Sequence, residues 1–451
     1  MDKQKVIIVG AGLSGSLLAI YLAKKGMHVD VYEARPDMRN EQVVAGRSIN
    51  LALSDRGIMA LREVGMDAYM LKEAVPMKGR LIHTLKGETN FQPYSGRQGE
   101  YINSVSRGGL NIALMNEAEK YEGVKFYFDH KCIGYDCKSG DVLFEQTKTG
   151  EKKTIKGDTV IGTDGAGSAI RNAMLHGGIE RFNFSQRFLE HGYKELCILP
   201  SEGGGFLMEK NALHIWPRGS YMMIALPNFD GSFTCTLFLA HEGENSFRSI
   251  AVKGKDKLMD FFKENFADAI PLMPTLAEDF FTNPTGSLGT IKCFPWNVGG
   301  KSLLIGDSAH AVVPFYGQGM NCAFEDCRSL SKIIYEIGSD WEKVYTAYGK
   351  LRKENTDAIA DMAEENFYEM RDYVADPVFQ RKRELETKLE QSFPDYFSKY
   401  SMVTFREDLP YIAAMKKGRA QDEMLMEICF GVDDVKKLNL DEVFKKIKTI
   451  Q

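Results

Sequence analysis

Residues 6–34, VIIVGAGLSGSLLAIYLAKKGMHVDVYEA, restrict what this chain can fold into more than any other stretch. A short apolar run meets a glycine-rich turn, a segment of helical period follows until Gly26 stops it, and an alternating run comes next. The order is strand, turn, helix, strand, one βαβ unit, which commits this part of the chain to a parallel sheet. Its glycines have separate tasks. Gly10 permits the tight turn, Gly12 lets backbone approach a pyrophosphate, and Gly15 lets the helix pack on the strand. The helix N-terminus offers free N–H groups to the anion. Glu33, at the end of the second strand, is placed to accept hydrogen bonds from a ribose diol, and its carboxylate disfavours a 2′-phosphate even with Arg35 nearby. The dinucleotide of this groove is therefore FAD or NAD rather than NADP.

A second stretch decides between them. LLIGDSAH (303–310) runs into VVPFYGQGMN (312–321), which has a proline, two glycines, two amides and no charged side chain. Asp307 follows a buried strand, so it stands at a strand's C-terminal edge, where α/β sheets bind ligands, and it suits a ribityl hydroxyl. The GQGMN stretch opens a helix and turns free N–H groups and a positive dipole end toward that place. A reduced flavin carries its negative charge on the pyrimidine side, which such a helix end suits. The two motifs together point to FAD.

The rest of the chain divides by texture. Helical stretches between 50 and 115, then short strands as far as TVIGTDGAG, complete a Rossmann-like FAD-binding domain over 1–180. Strands dominate from 181 to 295 (ELCILP, ALHIW, YMMIALP, SFTCTLFLA), the last two joined by the hairpin turn NFDG. This is an inserted antiparallel-sheet substrate domain. KSLLIGDSAH returns to the FAD-binding domain over 296–335, and 336–451 forms a C-terminal helical region broken at Pro377, Pro394 and Pro410. The fold class is α/β.

Charge and cysteine usage exclude other functions. A net charge of −5 without a Lys/Arg-rich block gives no field for nucleic acid. The start MDKQK leaves no room for a signal peptide before VIIVG, and no apolar run is long enough to span a membrane, so a cytoplasmic protein is expected. The eight cysteines form no CxxC and no Cys/His cluster, so reduced thiols and no metal site are expected. His310 reads as a structural or helix-entry histidine.

GAGLSG, TDGAGSAIR (163–171) and LLIGDSAH, in this order, resemble the three fingerprints of the class A flavoprotein aromatic hydroxylases. In that family the middle motif, here Asp164, Gly165, Ser168 and Arg171, serves both FAD and a transient NADPH, without a separate nicotinamide domain. GRSINLALSDRG, PMKGRLIH, FQPYSGR, HGYKEL, ALHIWPRG, VPFYGQGMNCAFED, EENFYEM and KYSMVTF are similar to the kynurenine-hydroxylating members in their compact bacterial form. The resemblance implies that Arg80, Tyr94, Asn366 and Tyr400 hold the amino-acid head of L-kynurenine. It implies an apolar cavity from Leu213, Met222, Ile224, Leu226, Phe238, Pro314 and Phe315, with Tyr316 beside the flavin. It further implies FAD contacts at Glu33, Arg35, Leu53, Arg107, Asp307, Gly319, Met320 and Asn321. The implied chemistry is reduction of FAD by NADPH, addition of O₂ at flavin C4a, and transfer of hydroxyl from the hydroperoxide to the carbon ortho to the aniline nitrogen. No side chain is needed as a strong acid or base.

Two positions depart from the family pattern. Gly109 stands where a second arginine is usual, and Tyr316 where a histidine is common. The residues also admit blander readings: Met222, Ile224 and Leu226 alternate and alone would be plain core, and Arg80 alone would be a solvated arginine. The tail either folds back as a lid or serves as a dimer contact. A related hydroxylase of another anilino or phenolic acid, and a flavin-binding regulatory protein without turnover, are the competing functions.

Overall fold

The computed structural model describes residues 4–40, 50–373 and 376–450, so residues 46–49 of GRSINLALSDRG lie outside the described part. One sheet has six strands, in the order Asn297–Val298, Ser302–Leu304, Thr159–Gly162, Lys5–Val9, His28–Tyr32, Val124–Tyr127, all parallel except the first. A parallel sheet is covered on both faces, which is why VIIV is apolar throughout, TVIG is apolar but for Thr159, and both are buried. Lys5–Val9, Thr159–Gly162 and Ser302–Leu304 are neighbours, so the three glycine-containing motifs that follow them emerge at one edge of one sheet. The helices Leu13–Ala23 and Gly319–Ile337 start at that edge and pack on each other.

The second sheet has seven strands: Gly286–Phe294, Asn183–Ile198, Phe233–Ala240, Met222–Pro227, Ala212–Pro217, Gly79–His83, Thr89–Pro93. The NFDG turn makes the expected hairpin and sets Met222 opposite Phe238. The last two strands come from the stretch read as helices, between 50 and 115. Thr89–Pro93 is the sheet's edge, largely exposed, and bonds through its backbone, so TNFQP carries no apolar signature. Asn50–Leu53, Ile102–Ser106 and Val75–Met77 form a further three-stranded sheet in the same stretch. The helices Phe247–Asn265 and Leu276–Thr282, inside the segment read as strands, cover the outer face: Leu258, Phe261, Phe262 and Leu276 pack on Trp216, Met223, Ala225 and Leu237. The inner face carries Ile82, Ile215, Met222 and Phe238.

The C-terminal region runs Trp341–Tyr368, a π-helical turn Glu369–Tyr373, then Pro377–Ser392, Lys399–Thr404, Tyr411–Phe430 and Leu440–Ile447. Pro377 sits in the first turn of its helix and Pro410 caps the next long one, where the missing N–H costs nothing. The tail folds back: Phe367, Met370, Tyr400, Met402 and Val403 share one apolar cluster with the inner face of the second sheet. Among the described residues no helix is long and apolar enough to cross a membrane.

Candidate active site

The three glycines of the turn differ in their geometry. Gly10 has φ +104°, and a Cβ there would lie 2.6 Å from the Thr163 carbonyl oxygen. At Gly15 a Cβ would stand 2.0 Å from the Gly10 oxygen. Both are backbone-packing positions. Beyond Gly12 there is open space, with nothing within 4 Å of the Cβ position. The helix Leu13–Ala23 has no side-chain cap, so its first N–H groups face that space unsatisfied by side chains. Glu33 is buried; its Oε2 accepts from the Ala11 N–H at 2.9 Å, and Arg35 Nε donates to its Oε1 at 2.8 Å. Burial pushes this carboxyl up, but the Arg35 and Ala11 donors outweigh it and hold it below the usual range.

The middle and third motifs are tied together. Arg171, buried, donates from Nη1 to the Ser308 carbonyl at 2.8 Å, and Ser308 Oγ donates to the Gly162 carbonyl at 2.6 Å. Asp164 Oδ2 caps the helix Ala169–His176 through the Ala169 N–H at 2.7 Å, with Ser168 as the N-cap residue. Asp164 Oδ1 is buried without a protein partner. Asp307 is exposed at the mouth of its strand. The helix Gly319–Ile337 again lacks a side-chain cap. Gly319 and Met320, its first residues, are partly buried.

Two residues expected at the flavin are engaged elsewhere by their side chains. Leu53 is fully buried, and Asn321 binds the Ser54 N–H through Oδ1 at 2.9 Å and the Ala52 carbonyl through Nδ2 at 2.8 Å. A Cβ on Gly57 would meet both side chains, at 2.7 and 2.4 Å. They lock the Asn50–Leu53 strand to the GQGMN helix. Arg107 is exposed at the start of the helix Arg107–Ala118, near Tyr193 and Glu195. Gly109 has ordinary room for a side chain, with 3.5 Å to Ser106. Sequence reasoning passed over Asn111: its Nδ2 donates to the Ala11 carbonyl at 3.0 Å, and its buried Oδ1 has no protein partner.

This donor set fits FAD. Uncapped helix ends suit phosphate and an anionic ring edge, the space beyond Gly12 admits a pyrophosphate, and unpartnered Asp164 and Asn111 oxygens accept from hydroxyl or ring N–H groups.

Between the two sheets lies the second half of the site. The rings of Tyr94 and Tyr400 stack at 5.0 Å, Tyr400 stacks on Tyr316 at 5.6 Å, and the Arg80 guanidinium lies 5.3 Å from the Tyr400 ring centre. Arg80 is 6% exposed; its Nε and the Tyr94 hydroxyl have no hydrogen-bond partner in the protein, and Nη1 is 3.5 Å from Glu369 Oε1. Asn366 donates from Nδ2 to the Phe315 carbonyl at 2.6 Å. Phe315 packs against Phe238 at 4.9 Å and Phe367 at 4.5 Å, while Pro314 is exposed at the turn's edge. Met222, Ile224, Leu226 and Leu213 share the cluster with Phe238, one apolar wall. Beside Arg80, a cavity of about 10 Å³ is lined by Arg80, Tyr316, Asn366, Glu369, Lys382, Arg383, Glu386, Lys399 and Tyr400.

That lining was half invisible to sequence reasoning, which named its aromatic and amide members but not Glu369, Lys382, Arg383, Glu386 or Lys399. Burial pushes the Glu369 carboxyl up, but Lys399, Arg80, Lys382 and Arg383 together hold it below the usual range. Asp422 accepts from both Lys382 and Lys399. Away from the cavity, His310 is buried, 2.6 Å from Asp326, whose other oxygen takes Arg352 at 2.7 Å. His310 and Asp326 lie close to Cys322, and Arg352 also donates toward Cys322, so a guanidinium serves this cluster.

The family described as FAD binding domain matches residues 3–189 and 292–363 of the chain. Kynurenine 3-monooxygenase of Myxococcus xanthus (strain DK1622) is 48% identical over 99% of this chain and 95% of its own length. Kynurenine 3-monooxygenase of Dictyostelium discoideum is 46% identical over 98% of this chain and 97% of its own. Among solved structures, the tetrameric form of 2-methyl-3-hydroxypyridine-5-carboxylic acid oxygenase superposes with TM-score 0.68 at 20% identity, covering 88% of this chain and 99% of that one. Klebsiella pneumoniae HpxO complexed with FAD and uric acid gives 0.65 at 19%, covering 85% and 93%. The chain therefore belongs to the kynurenine 3-monooxygenase family of FAD-dependent aromatic hydroxylases.

Proposed function

We propose that the protein hydroxylates L-kynurenine at the ring carbon ortho to its aniline nitrogen, with FAD bound and with NADPH and O₂ consumed. The observation that carries this is the junction of a half-satisfied arginine with an apolar wall: Arg80 Nε and Tyr94 Oη, buried without partners, adjoin Met222, Phe238 and Phe315. A ligand with a charged amino-acid head and a flat ring is complementary to both halves.

FAD would be held by the Gly10–Gly15 turn, Glu33 at the ribose, Asp164 and Asp307 along the chain, and the first turn of the Gly319–Ile337 helix at the ring. When bound, it takes two electrons from NADPH and supplies one oxygen atom of O₂ to the ring, the other leaving as water. The protein's part is positional. Arg80 offers its fork to the substrate carboxylate, with Tyr94 and Tyr400 beside it, and Asn366 fixes the Phe315 carbonyl so that the Pro314–Tyr316 turn keeps its shape. The apolar wall orients the aromatic ring and excludes water, which protects the oxygen transfer from side reactions. The aniline lone pair already activates the ortho carbon, so no protein base is required.

The test is NADPH consumption by the FAD-loaded protein with and without L-kynurenine, with the product weighed for one added oxygen atom. Stimulated consumption with that product is expected. Stimulation that yields only H₂O₂ would make kynurenine an effector and move the reading to another anilino acid.

A further inference from the structure

One buried arginine outside the cavity joins the two halves of the site. Arg56 is 1% exposed and sits in the first turn of the helix Asp55–Glu63. That helix presses directly on the helix Gly319–Ile337, since a Cβ on Gly57 would stand 2.4 Å from Asn321 Oδ1. The root of the Arg56 side chain is therefore fixed to the element that opens toward the flavin ring. Its head reaches into the C-terminal region. Nε donates to the Val403 carbonyl at 2.9 Å, Nη2 to the carbonyls of Arg406 at 3.0 Å and Leu409 at 2.5 Å, and Nη1 meets both Glu325 carboxylate oxygens at 3.4 Å. A guanidinium presents its donors in one rigid plane, and here all three nitrogens are engaged.

Such a set of bonds fixes a whole loop, from Val403 to Leu409. Val403 stands in the last turn of the helix Lys399–Thr404, where carbonyls have no partner within the helix. Tyr400 lies three residues before it on the same side of that helix, and carries the stack on Tyr94 and Tyr316. At the other end of the loop the Arg56 guanidinium lies 3.9 Å from the Tyr411 ring centre, a cation over a ring. The Tyr411 hydroxyl donates to Gln318 Oε1 at 2.9 Å, and Gln318, 2% exposed, is the residue immediately before the Gly319–Ile337 helix. One side chain thus sets, through Val403, where Tyr400 stands beside Arg80, and, through Tyr411, the amide that precedes the flavin-side helix end.

We propose that Arg56 is a positioning residue for the hydroxylation: it registers the tail that holds the substrate's head against the turn that faces the flavin ring. It touches neither substrate nor cofactor. This rests on the reading of Arg80 and Tyr400 as the head-group site. Where the register loosens, substrate is held less tightly and water reaches the reacting atoms. NADPH, H⁺ and O₂ then give NADP⁺ and H₂O₂, in place of one oxygen atom in the product and one in water.

The test uses the full FAD-loaded chain and three readouts: FAD release on dilution, the Kd for L-kynurenine by flavin absorbance, and the share of consumed NADPH recovered as H₂O₂. In Arg56→Met the Kd for L-kynurenine is expected to rise about five-fold and the H₂O₂ share at least about two-fold, with FAD release within about two-fold of wild type. Glu325 keeps Arg352 at 3.0 Å in that variant, so its charge is not left alone. Arg56→Lys keeps the charge beside Glu325 but cannot span three carbonyls; it serves where Arg56→Met fails to fold, and the same two changes are expected in it. Tyr411→Phe, which removes only the hydroxyl on Gln318, is expected to raise the H₂O₂ share and to leave the Kd for L-kynurenine within about two-fold of wild type. A wild-type Kd or H₂O₂ share in the Arg56 variants, or FAD release that quickens in step with them, overturns the proposal, and a wild-type H₂O₂ share in Tyr411→Phe removes its flavin side. Arg80→Ala separates the two readings: unweakened binding of L-kynurenine there sinks the head-group site and this proposal with it, whereas weakened binding beside an unaltered Arg56→Met sinks the positioning role alone.

Discussion

Replacing Arg80 by alanine isolates the head-group half of the site. The guanidinium is buried, its Nε has no partner and its Nη1 stands a loose 3.5 Å from Glu369, so one edge of the fork is available to a carboxylate. A charge-assisted hydrogen bond contributes about 1.5 to 3 kcal/mol, and part of the second bond is offset by the weakened Glu369 pair. The net loss is about 1.5 to 3 kcal/mol, a rise in KM of about ten- to 150-fold. Because the apolar wall that orients the ring is untouched, kcat is expected to stay within about three-fold. Folding should change little, since Glu369 keeps Lys399, Lys382 and Arg383 and is not left as an isolated buried charge. Arg80→Lys is expected to recover less than half of the loss, because an ammonium cannot present two parallel donors. Steady-state NADPH oxidation against L-kynurenine concentration reads all of this. A KM within about two-fold of wild type, or a fall in kcat at constant KM, refutes the assignment.

Other positions give sharper divisions between fold and cofactor. Gly10→Ala should cost about 2 kcal/mol or more of apo-protein stability by denaturant titration, since its Cβ would meet the Thr163 oxygen at 2.6 Å with φ +104°. Gly12→Ala should leave apo stability unchanged and weaken FAD binding in a fluorescence titration; equal effects of the two glycines would contradict the cradle. Glu33→Gln should weaken FAD binding about ten-fold or more, with little change in stability because Arg35 is largely exposed. Asp55, at the start of the helix Asp55–Glu63, has its carboxyl pushed up to about 6 by burial, with Glu100 and Glu407 adding to it. A carboxyl raised on folding destabilises above its folded value and ceases to below its unfolded one, so Asp55→Asn should stabilise by about 1 kcal/mol near pH 8 and progressively less as pH falls through about 6. A gain that grows toward acid would reverse the sign and reject the cause.

The nucleotide half was legible because its signals are local. A βαβ unit with glycines in place needs only residues 6–34, and their spacing encodes the turn, the approach and the packing without help from the rest of the chain. The apolar wall was legible for a similar reason: Met222, Ile224 and Leu226 alternate, and the NFDG turn fixes where Phe238 falls. Short strands with distant partners were lost. Arg80 lies in a strand whose neighbour, TNFQP, is an exposed edge, and the parallel partner of that strand, Ala212–Pro217, is more than a hundred residues away, so no local pattern announces the pairing.

The tail shows the deeper obstacle. On the helix Pro377–Ser392 a reader sees QRKRELETKLEQ and expects a solvated face, yet Lys382, Glu386 and Glu390 are 3%, 2% and 4% exposed. Each charge is tolerable only because a partner meets it: from other elements, Asp422 for Lys382 and the Ser398 N–H and Ser401 Oγ for Glu390, and from its own helix, Arg383 for Glu386. Sequence displays the charges and hides the partners. The same condition makes the network specific, because an ion pair in a dry interior penalises any register but one, and here that register brings Tyr400 against Tyr94 and Arg80. The buried charges of the tail act beside the apolar contacts of Tyr400, Met402 and Val403: Asp422 meets both Lys382 and Lys399 and so ties Lys399–Thr404 to Pro377–Ser392 on the head-group side of the cavity.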